Sequence, residues 1–313
     1  MTTQALALVP MALAVALDLG LGEPPNRFHP VAWIGSGLLA ARRRLPTRGK
    51  LVPFVAGAGL MVVGVASSII LGFSINAGLA YLPRPAAWLV EAAALKSLFS
   101  IRGLIQAARA VAEALRRRDL GKARTLASWH LVGRSTDRLD GPRVAAATIE
   151  SVAENAVDSV VAPLFFYAIG GLAGALAYRV INTADSVLGH RDPDLEWLGK
   201  VPARLDDLAN LIPARLTALA ILLAAPSVGG KPWQASRIWW RDSGSTASPN
   251  AGHPMSAAAG ALGVELEKVG FYRLGGGLRL PEIDDIDRAI RLFLAALALA
   301  ALPLGALRLR FGA

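Results

Sequence analysis

The sequence predicts an all-α, polytopic integral membrane protein with about four to six membrane-embedded helices and a polar active site formed by helix ends and loops. Of the 313 residues, 54% are hydrophobic and only 18% are charged, which is too apolar for an ordinary soluble domain of this size. Several apolar runs approach the roughly 20 residues that a helix needs to cross the hydrocarbon layer. These helices leave little room for a sheet.

The apolar runs belong to one membrane-embedded domain that covers residues 1–313. They are residues 5–21, 51–82, 159–178, 205–225 and 292–307. The first run lacks a basic leading region and a small-residue cleavage site, so we expect it to be retained rather than removed as a signal peptide. The segments 86–147 and 226–290 are polar and are predicted to form helices and loops.

Charge indicates which side of the membrane the loops face. Arg42, Arg43, Arg44, Arg48 and Lys50 directly precede the run 51–82, which the positive-inside rule assigns to the cytoplasm. The net charge of +10 comes from such short segments, so nucleic acid is not expected as a partner. If every run crossed the membrane fully, the polar segment 231–288 would lie on the opposite side from residues 42–50 and 102–143. The polar clusters described below would then be separated, so we expect one or two runs to re-enter the membrane or to lie buried in the protein.

Two connecting segments have distinct predictions. Residues 22–30 contain three prolines and a glycine, which forbid a regular helix and predict an ordered turn or a re-entrant loop. Residues 86–118 carry apolar side chains at helical spacing with interspersed Lys and Arg, which predicts one long helix leaving the membrane.

The first candidate site is an acidic ladder. Glu150, Glu154 and Asp158 have the spacing i, i+4 and i+8, which places three carboxylates on one face of a helix just before an apolar run. Because the chain has no cysteine, a metal here has oxygen or imidazole ligands, and Mg²⁺ bridging a phosphate is the natural partner. The alternative is a solvated helix end whose carboxylates pair with Arg134, Arg138 or Arg143.

The second candidate site follows the charge-free run 159–178. Arg179, Asn182, Asp185 and Ser186 recur at spacings of three to four, and His190 and Arg191 come soon after. Amide and carboxylate oxygens can hold a metal while guanidinium groups bind phosphate or carboxylate. A purely structural salt-bridge network is the alternative.

The third candidate site comprises Arg204, Asp206, Asp207 and Asn210, at the start of the hydrophobic run 205–225. Acidic residues at a helix N-terminus also have a simple explanation in the helix dipole. However, Asn210 lies four residues after Asp206 and three after Asp207, on nearly the same face, so the three side chains can share a metal or position a water.

The fourth candidate site is the turn sequence 248–256, which opens the small-residue helix 257–263. Backbone N–H groups at such a helix start can bind an anion, and Ser248 and Asn250 would line it. A plain structural turn is the alternative. The roles of His253 and His29 stay undecided, because a lone histidine is more often a packing residue than a catalyst.

Taken in order, these stretches resemble the adenosylcobinamide-phosphate synthase family, the CobD/CbiB proteins of cobalamin biosynthesis. The resemblance runs from about Asp18 to Gly263 and includes six motifs in the family's order. The motifs are residues 18–31, 131–134, 149–165, 178–191, 204–217 and 248–263. Two departures are Ser135, where an acidic residue is expected, and Val187-Leu188, where a methionine is common; neither removes a candidate metal ligand.

The resemblance implies ATP-dependent amide formation between adenosylcobyric acid and (R)-1-amino-2-propanol O-phosphate, giving adenosylcobinamide phosphate, with Mg²⁺. It also implies a bacterial cytoplasmic (inner) membrane protein with its active site facing the cytosol. Under this hypothesis the residues that hold Mg²⁺ and phosphate are Glu150, Glu154, Asp158, Asp185, Asp206 and Asp207. The residues that assist in binding ATP and phosphate are Arg134, Asn155, Arg179, Asn182, His190, Arg191, Arg204, Asn210, Ser248 and Asn250. A carboxylate or a histidine would take the proton of the amine.

Two other classes of function stay open. A Mg²⁺-dependent membrane diphosphate transferase, such as a prenyltransferase, also gathers acidic residues around a membrane cavity, although its aspartate-rich signatures do not match this chain. A transporter or a sensor that shares the fold would use intramembrane carboxylates for ion pathways. Dependence on Mg²⁺ and ATP distinguishes a ligase from a transporter. The oligomeric state is not predicted.

Overall fold

The computed structural model describes residues 6–132, 136–189 and 195–311, which are helical almost throughout. The helices are α1 (Val9–Leu21), α2 (Pro30–Arg42), α3 (Leu51–Leu79), α4 (Arg84–Lys96), α5 (Ile101–Arg116), α6 (Leu120–Ala127), α7 (Gly141–Ala156), α8 (Ala162–Leu188), α9 (Lys200–Ala209), α10 (Leu211–Ala224), α11 (Pro232–Asp242), α12 (Gly252–Leu262) and α13 (Ile283–Phe311). Strands β1 (Leu266–Lys268) and β2 (Tyr272–Leu274) pair antiparallel, with Glu267 opposite Arg273. The all-α prediction is confirmed.

Four helical runs of the described residues are long and apolar enough to cross a membrane. They are Leu51–Leu79, Gly141–Leu188, Leu211–Val228 and Ile283–Phe311, and Val9–Leu21 is a shorter apolar helix. Each overlaps one of the five apolar runs predicted from the sequence. The protein is therefore a multi-pass membrane protein.

The contacts divide the chain into two compact units. Unit 1 comprises Met1–Ile101, Ala162–Asn210 and Leu304–Ala313, and unit 2 comprises Arg102–Val161 and Leu211–Pro303. The chain therefore passes between the units several times, and each unit combines segments that are distant in the sequence.

In unit 1, α3 packs against α8 through a stripe of small residues. A side chain on Gly64 would lie 3.0 Å from Val180, and one on Gly72 would lie 2.5 Å from the backbone nitrogen of Ala173. The other faces of α3 expose large apolar side chains. Small residues let helix backbones approach closely in lipid, where packing rather than hydrophobicity drives association.

Helix α8 reverses its direction at Gly171. Residues twelve apart in a straight helix are about 18 Å apart. However, the rings of Phe166 and Tyr178 stack with their centroids 5.2 Å apart, and the carbonyl of Phe166 touches Gly174. The turn has φ 59° and ψ −152°, a backbone conformation that is almost restricted to glycine. The predicted run 159–178 is thus not one straight span but folds back on itself, as we expected of one or two runs.

The prediction of one long helix over 86–118 was wrong. Helix α4 ends at Lys96 and α5 begins at Ile101, and both ends of the break are stabilised by side chains. The carboxylate of Asp18 accepts the backbone N–H of Ile101 at 3.0 Å, and the guanidinium of Arg179 donates to the carbonyl of Leu98. Helical spacing of apolar residues does not show such a break, because its stabilising partners come from remote parts of the chain.

The sequence predicted that the acidic pair of the third candidate site begins the hydrophobic helix, and this prediction was wrong. Asp206 and Asp207 lie near the end of the separate helix α9, and α10 begins at Leu211 after a break at Asn210. Pro213 explains the break, because it has no N–H to donate to Ala209 and its ring would clash with that carbonyl. The dipole at a helix N-terminus therefore does not account for these carboxylates.

In unit 2, the small-residue helix α12 is buried among α7, α10 and α11. Gly260 lies against the backbone of Ala235, which brings α11 and α12 into close contact. Arg288 on α13 donates to the carbonyls of Leu262 and Val228, the last residues of two neighbouring helical segments, at 3.0 Å each. These bonds satisfy orphan carbonyls at helix ends.

The α3–α8 packing predicts that Gly72→Ala destabilises the protein. The added methyl group would lie 2.8 Å from the Cβ of Ala173, and overpacking of this kind costs about 1–3 kcal/mol. Gly59→Ala in the same helix is the matched control, because no heavy atom lies within 4 Å of its Cβ position. Thermal unfolding in detergent should show a lower midpoint for Gly72→Ala only; equal midpoints for both variants would contradict the packing described here.

Candidate functional site

A partly buried carboxylate held by two amides is the centre of the candidate site in unit 1. Asn182 on α8 donates from Nδ2 to Oδ1 of Asp206 at 3.2 Å, and Asn210 donates from Nδ2 to Oδ2 at 3.0 Å. The hydroxyl of Tyr178 donates to Oδ1 of Asn210 at 3.0 Å, which orients that amide. The structure thus joins the second and third predicted sites into one network.

Arg179 connects this network to the break between α4 and α5. Its side chain is buried, its Nη1 donates to Oδ1 of Asn182 at 3.3 Å, and its Nε donates to the carbonyl of Leu98. These two hydrogen bonds fix the orientation of the guanidinium, a group whose planar geometry suits phosphate and carboxylate.

The environment of Asp206 disfavours its charge. Burial raises the pKa of Asp206, and the charge of the neighbouring Asp207 raises it further, whereas the hydrogen bonds from Asn182 and Asn210 act in the opposite direction. The net effect is a raised pKa. A cation close to such a carboxylate restores its ionised form, so the site favours a metal ion or a cationic group.

Three further predicted residues lie in the same unit. Asp207 is partly exposed, and its Oδ2 lies 3.6 Å from Nη1 of the largely exposed Arg204. Asp185 lies near the end of α8, where its carboxylate packs against Gly189, a position that leaves no room for a side chain. Metal binding by Asp185, Asp206 and Asp207 stays a prediction.

The predicted site residues of unit 2 differ in their environments. Glu150 is buried, Glu154 is exposed, and Asp158 lies in the wide helical turn Val157–Val161 that follows α7. Beside them, Asn155 donates to the backbone carbonyl of Ser151 at 3.0 Å and accepts from the hydroxyl of Ser159 at 3.0 Å. The structure therefore shows a hydrogen-bonded polar ladder along this helix.

The turn before α12 is built by its own polar side chains. The hydroxyl of Ser248 accepts the backbone N–H of Asn250 at 3.2 Å, and Oδ1 of the buried Asn250 accepts from Arg215 at 3.2 Å. His253 accepts the indole N–H of Trp239 on its Nδ1 at 2.9 Å, and burial, followed by the charge of Arg215, lowers the pKa of His253. The undecided His253 is thus neutral and engaged in packing.

Some of the predicted site residues lie outside the described residues, and the others do not form a complete metal-binding group. Arg134, His190 and Arg191 fall outside the part of the chain that the structure describes. Within that part, no group of three or more histidine, aspartate or glutamate side chains is arranged to hold a metal ion. A cage made by protein ligands alone is therefore not present among the described residues.

Sequence reasoning missed a second polar cluster in unit 1. Nε2 of His29 lies 2.8 Å from Oε2 of Glu23, the ammonium of Lys96 lies 3.3 Å from the same oxygen, and the buried Asp18 lies 3.9 Å from that ammonium. The signals were present, because Asp18 alone interrupts an apolar run and Glu23 lies in the proline-rich loop 22–30. Neither residue has a spacing that points to a partner.

The electrostatics of Glu23 contrast with those of Asp206. Burial opposes the charge of Glu23, but hydrogen bonds from His29 and Ser100 and the charges of Lys96 and His29 outweigh it and lower the pKa of Glu23 to about 2. Glu23 is therefore ionised at every physiological pH.

A third missed cluster lies where α8 reverses. The hydroxyl of Tyr167 donates to Oε1 of Glu91 at 2.7 Å, and Arg308 lies 3.5 Å from the same oxygen and 4.5 Å from the centre of the Tyr167 ring. Arg308 directly follows the last predicted apolar run, and no spacing in the sequence relates it to Glu91. The cluster fixes α4 and the end of α13 to the first half of α8.

Comparison with known proteins decides the family. A family model described as CobD/Cbib protein matches residues 11–293, which is most of the chain. The chain belongs to the CobD/CbiB family. The resemblance inferred from the sequence motifs is therefore confirmed.

Relatives of this CobD/CbiB protein cover nearly its whole length. It is 43% identical to cobalamin biosynthesis protein CobD of Dehalococcoides mccartyi over 85% of this chain and 86% of the relative. It is 38% identical to cobalamin biosynthesis protein CobD of Citrobacter koseri, with 92% and 93% covered. A probable cobalamin biosynthesis protein CobD of Methanothermobacter thermautotrophicus is 39% identical, with 93% and 95% covered. No solved structure matches the chain.

The lowered pKa of Glu23 predicts a pH-dependent contribution to stability. A carboxyl with a folded-state pKa of about 2 and an ordinary value of 4.5 stabilises the fold above about pH 4.5, and this contribution is lost as pH falls towards 2. After allowance for solvent screening of a side chain that is 30% exposed, we expect Glu23→Gln to cost on the order of 1 kcal/mol at neutral pH.

Thermal unfolding in detergent between pH 3 and pH 7 measures this effect. The midpoint of Glu23→Gln should approach that of the unmodified protein as the pH falls. Glu113→Gln removes an exposed carboxylate whose partner is Arg117, and it serves as the control. A midpoint difference for Glu23→Gln that stays constant over this range would show that Glu23 stabilises the fold without its charge.

Proposed function

We propose that this protein acts in cobalamin biosynthesis as an ATP-dependent acid–amine ligase. In this reaction it joins adenosylcobyric acid to (R)-1-amino-2-propanol O-phosphate and forms adenosylcobinamide phosphate. The observation that carries the proposal is the partly buried Asp206 with its amide and guanidinium neighbours, in a chain of the CobD/CbiB family. The names of the relatives support the pathway.

The chemistry of amide formation agrees with such a site. A carboxylate does not react with an amine until its oxygen becomes a good leaving group, and transfer of the γ-phosphoryl group of ATP achieves this with release of ADP. Attack of the neutral amine on the carbonyl carbon then forms the C–N bond and expels phosphate. Both steps need cationic groups around phosphoryl oxygens and a group that accepts the proton of the amine.

The residues of unit 1 fit a Mg²⁺ ion that is held together with phosphate. Mg²⁺ is commonly bound by one or two carboxylates plus substrate phosphates and waters rather than by a cage of protein ligands. Asp206 and Asp207 would hold it, and its charge would neutralise the phosphoryl oxygens. From the described residues, the carboxylate of Asp206 accepts one amide hydrogen bond on each oxygen, so each oxygen keeps a lone pair for a cation.

Arg179 and Arg204 would bind the anionic groups of the substrates. The buried Arg179 is oriented by the carbonyl of Leu98 and by Asn182, whereas the exposed Arg204 can reach phosphate at the entrance. For other residues, the roles proposed from the sequence are unchanged. In unit 2 these are Glu150, Glu154, Asp158, Asn155, Ser248 and Asn250, and outside the described residues they are Arg134, His190 and Arg191.

Contacts within unit 1 support a position of the site on the cytosolic side of the inner membrane. Lys50 lies over the ring of Trp197 at 5.6 Å, and Gly57 of α3 touches the carbonyl of Leu198. The segment that leads into α9 and Asp206 is therefore at the same end of α3 as the basic residues 42–50. We propose, by the positive-inside rule, that this end faces the cytosol, where ATP is available.

The ligase proposal predicts product formation by the purified protein in detergent or nanodiscs. Given adenosylcobyric acid, aminopropanol phosphate, ATP and Mg²⁺, the protein should form adenosylcobinamide phosphate and ADP in equal amounts, measured by chromatography. Omission of any one component should abolish the product. No product from folded protein with all four components would contradict the proposal and favour a transporter or a sensor.

Asp206→Asn should reduce turnover about 100-fold or more, because it removes the charge that binds the cation while keeping the side-chain shape. Glu196→Gln is the control, since Glu196 is an exposed carboxylate of the same unit and belongs to no proposed site. Both variants should insert and purify like the unmodified protein. Normal turnover of Asp206→Asn would refute the assignment of Asp206 as a metal ligand.

A further inference from the structure

We propose that His29, oriented by Glu23, is the base that removes the proton from the primary ammonium group of the amine substrate. This inference rests on the ligase function proposed above. It gives a chemical role to the cluster in the loop 22–30 and on α4, which the metal and phosphate sites do not use.

The two side chains have the geometry of a carboxylate–imidazole pair. Nε2 of His29 lies 2.8 Å from Oε2 of Glu23, which orients the ring and stabilises it once it carries a proton. The His29 and Glu23 side chains are 17% and 30% exposed, so the pair is fixed but still accessible to a small molecule. A general base has to combine these two properties.

The surroundings keep Glu23 charged and in place. Lys96, which is buried, lies 3.3 Å from Glu23 and 3.9 Å from the fully buried Asp18, and Ser100 forms a hydrogen bond with Glu23. The charged groups that face the pair are thus Glu23 itself, Lys96 and Asp18, with Arg27 in the same loop. The ammonium of Lys96 thus lies between the carboxylates of Glu23 and Asp18 and holds Glu23 in place.

A short segment of the chain links the pair to the Asp206 network within unit 1. Lys96, which contacts Glu23, and Leu98, whose carbonyl binds Arg179, are two residues apart in the chain. Their Cα atoms are therefore separated by at most about 7 Å. The short segment 96–101 thus contacts the carboxylate–imidazole pair through Lys96 and the phosphate-binding guanidinium through Leu98.

No other described histidine suits this role. His253 accepts the indole N–H of Trp239 and has a lowered pKa, and it belongs to unit 2. His130 is exposed at the end of a helical segment of unit 2. In the Asp206 network, the carboxylate accepts amide hydrogen bonds and is needed for the cation. Among the described histidines, His29 is therefore the one in unit 1, and it is both oriented by a carboxylate and accessible.

The proposed step balances as a single proton transfer. His29 takes a proton from R–NH₃⁺, giving R–NH₂ and an imidazolium that is stabilised by Glu23. The free electron pair of the amine then attacks the activated carbonyl carbon, and the carboxyl oxygen leaves with phosphate. The imidazolium later loses its proton to water.

A nucleophile that is already neutral tests this assignment. Hydroxylamine is uncharged at neutral pH and forms a hydroxamate with an activated carboxyl group without prior deprotonation. We expect His29→Gln to lower amide formation with aminopropanol phosphate about 100-fold or more, while hydroxamate formation stays within about threefold of the unmodified protein. Raising the pH should rescue amide formation about tenfold per unit, as the free amine becomes more abundant.

The controls separate this proposal from the ligase proposal. Glu23→Gln should show the same pattern in weaker form, and His130→Gln should behave like the unmodified protein. If the unmodified protein forms neither amide nor hydroxamate, the ligase proposal fails. If it forms both, the assignment of His29 is overturned either by a His29→Gln variant that retains amide formation or by a folded variant that loses both products equally.

Discussion

Unit 1 depends on one constraint: the backbone N–H and carbonyl groups that a helix break leaves free need hydrogen-bond partners, and apolar surroundings supply none. Wherever a helix stops inside an apolar layer, its free N–H and carbonyl groups need partners from the protein. Asp18 supplies one at Ile101, and Arg179 supplies one at Leu98. Each partner is an ionisable side chain whose burial would be costly without that bond, so the break and the buried charge stabilise each other.

The same constraint explains why the candidate site lies where helices are interrupted. Asp206 lies near the end of α9, and Asn210 lies at the break that Pro213 causes. Asn182 on α8 donates to Asp206, and Arg179 donates to Asn182. An uninterrupted helix presents side chains at regular intervals and uses its own backbone bonds. A broken helix brings two helix ends together, and it concentrates polar side chains that can also bind a ligand.

The sequence predicted the elements of the fold better than their ends. Uninterrupted apolar runs identified α3 and the apolar part of α13, because hydrophobicity over 20 residues is a local property. The ends of α4, α5 and α9 depend on partners far away in the chain, such as Asp18 for Ile101, and local periodicity does not contain that information. The reversal at Gly171 had a local signal in Gly170-Gly171, but two glycines in an apolar run occur equally in straight helices.

The candidate site was predictable in the same uneven way. The spacing of Asn210 after Asp206 correctly indicated that they share a face, because helix geometry relates residues four apart. The bond from Asn182 to Asp206 joins residues 24 positions apart and needed the structure. The pair of His29 and Glu23 was missed because a loop with three prolines has no periodicity that relates its side chains.

The two carboxylates of unit 1 have opposite electrostatic environments, and this contrast supports a division of tasks. Lys96, His29 and Ser100 lower the pKa of Glu23 to about 2, so Glu23 stays a permanent anion that can orient an imidazole. Burial and Asp207 raise the pKa of Asp206, so Asp206 gains most when a cation comes close. Carboxylates whose pKa values are pushed apart by their surroundings mark acid–base sites in enzymes. The electrostatics of unit 1 therefore favour a site that performs a reaction.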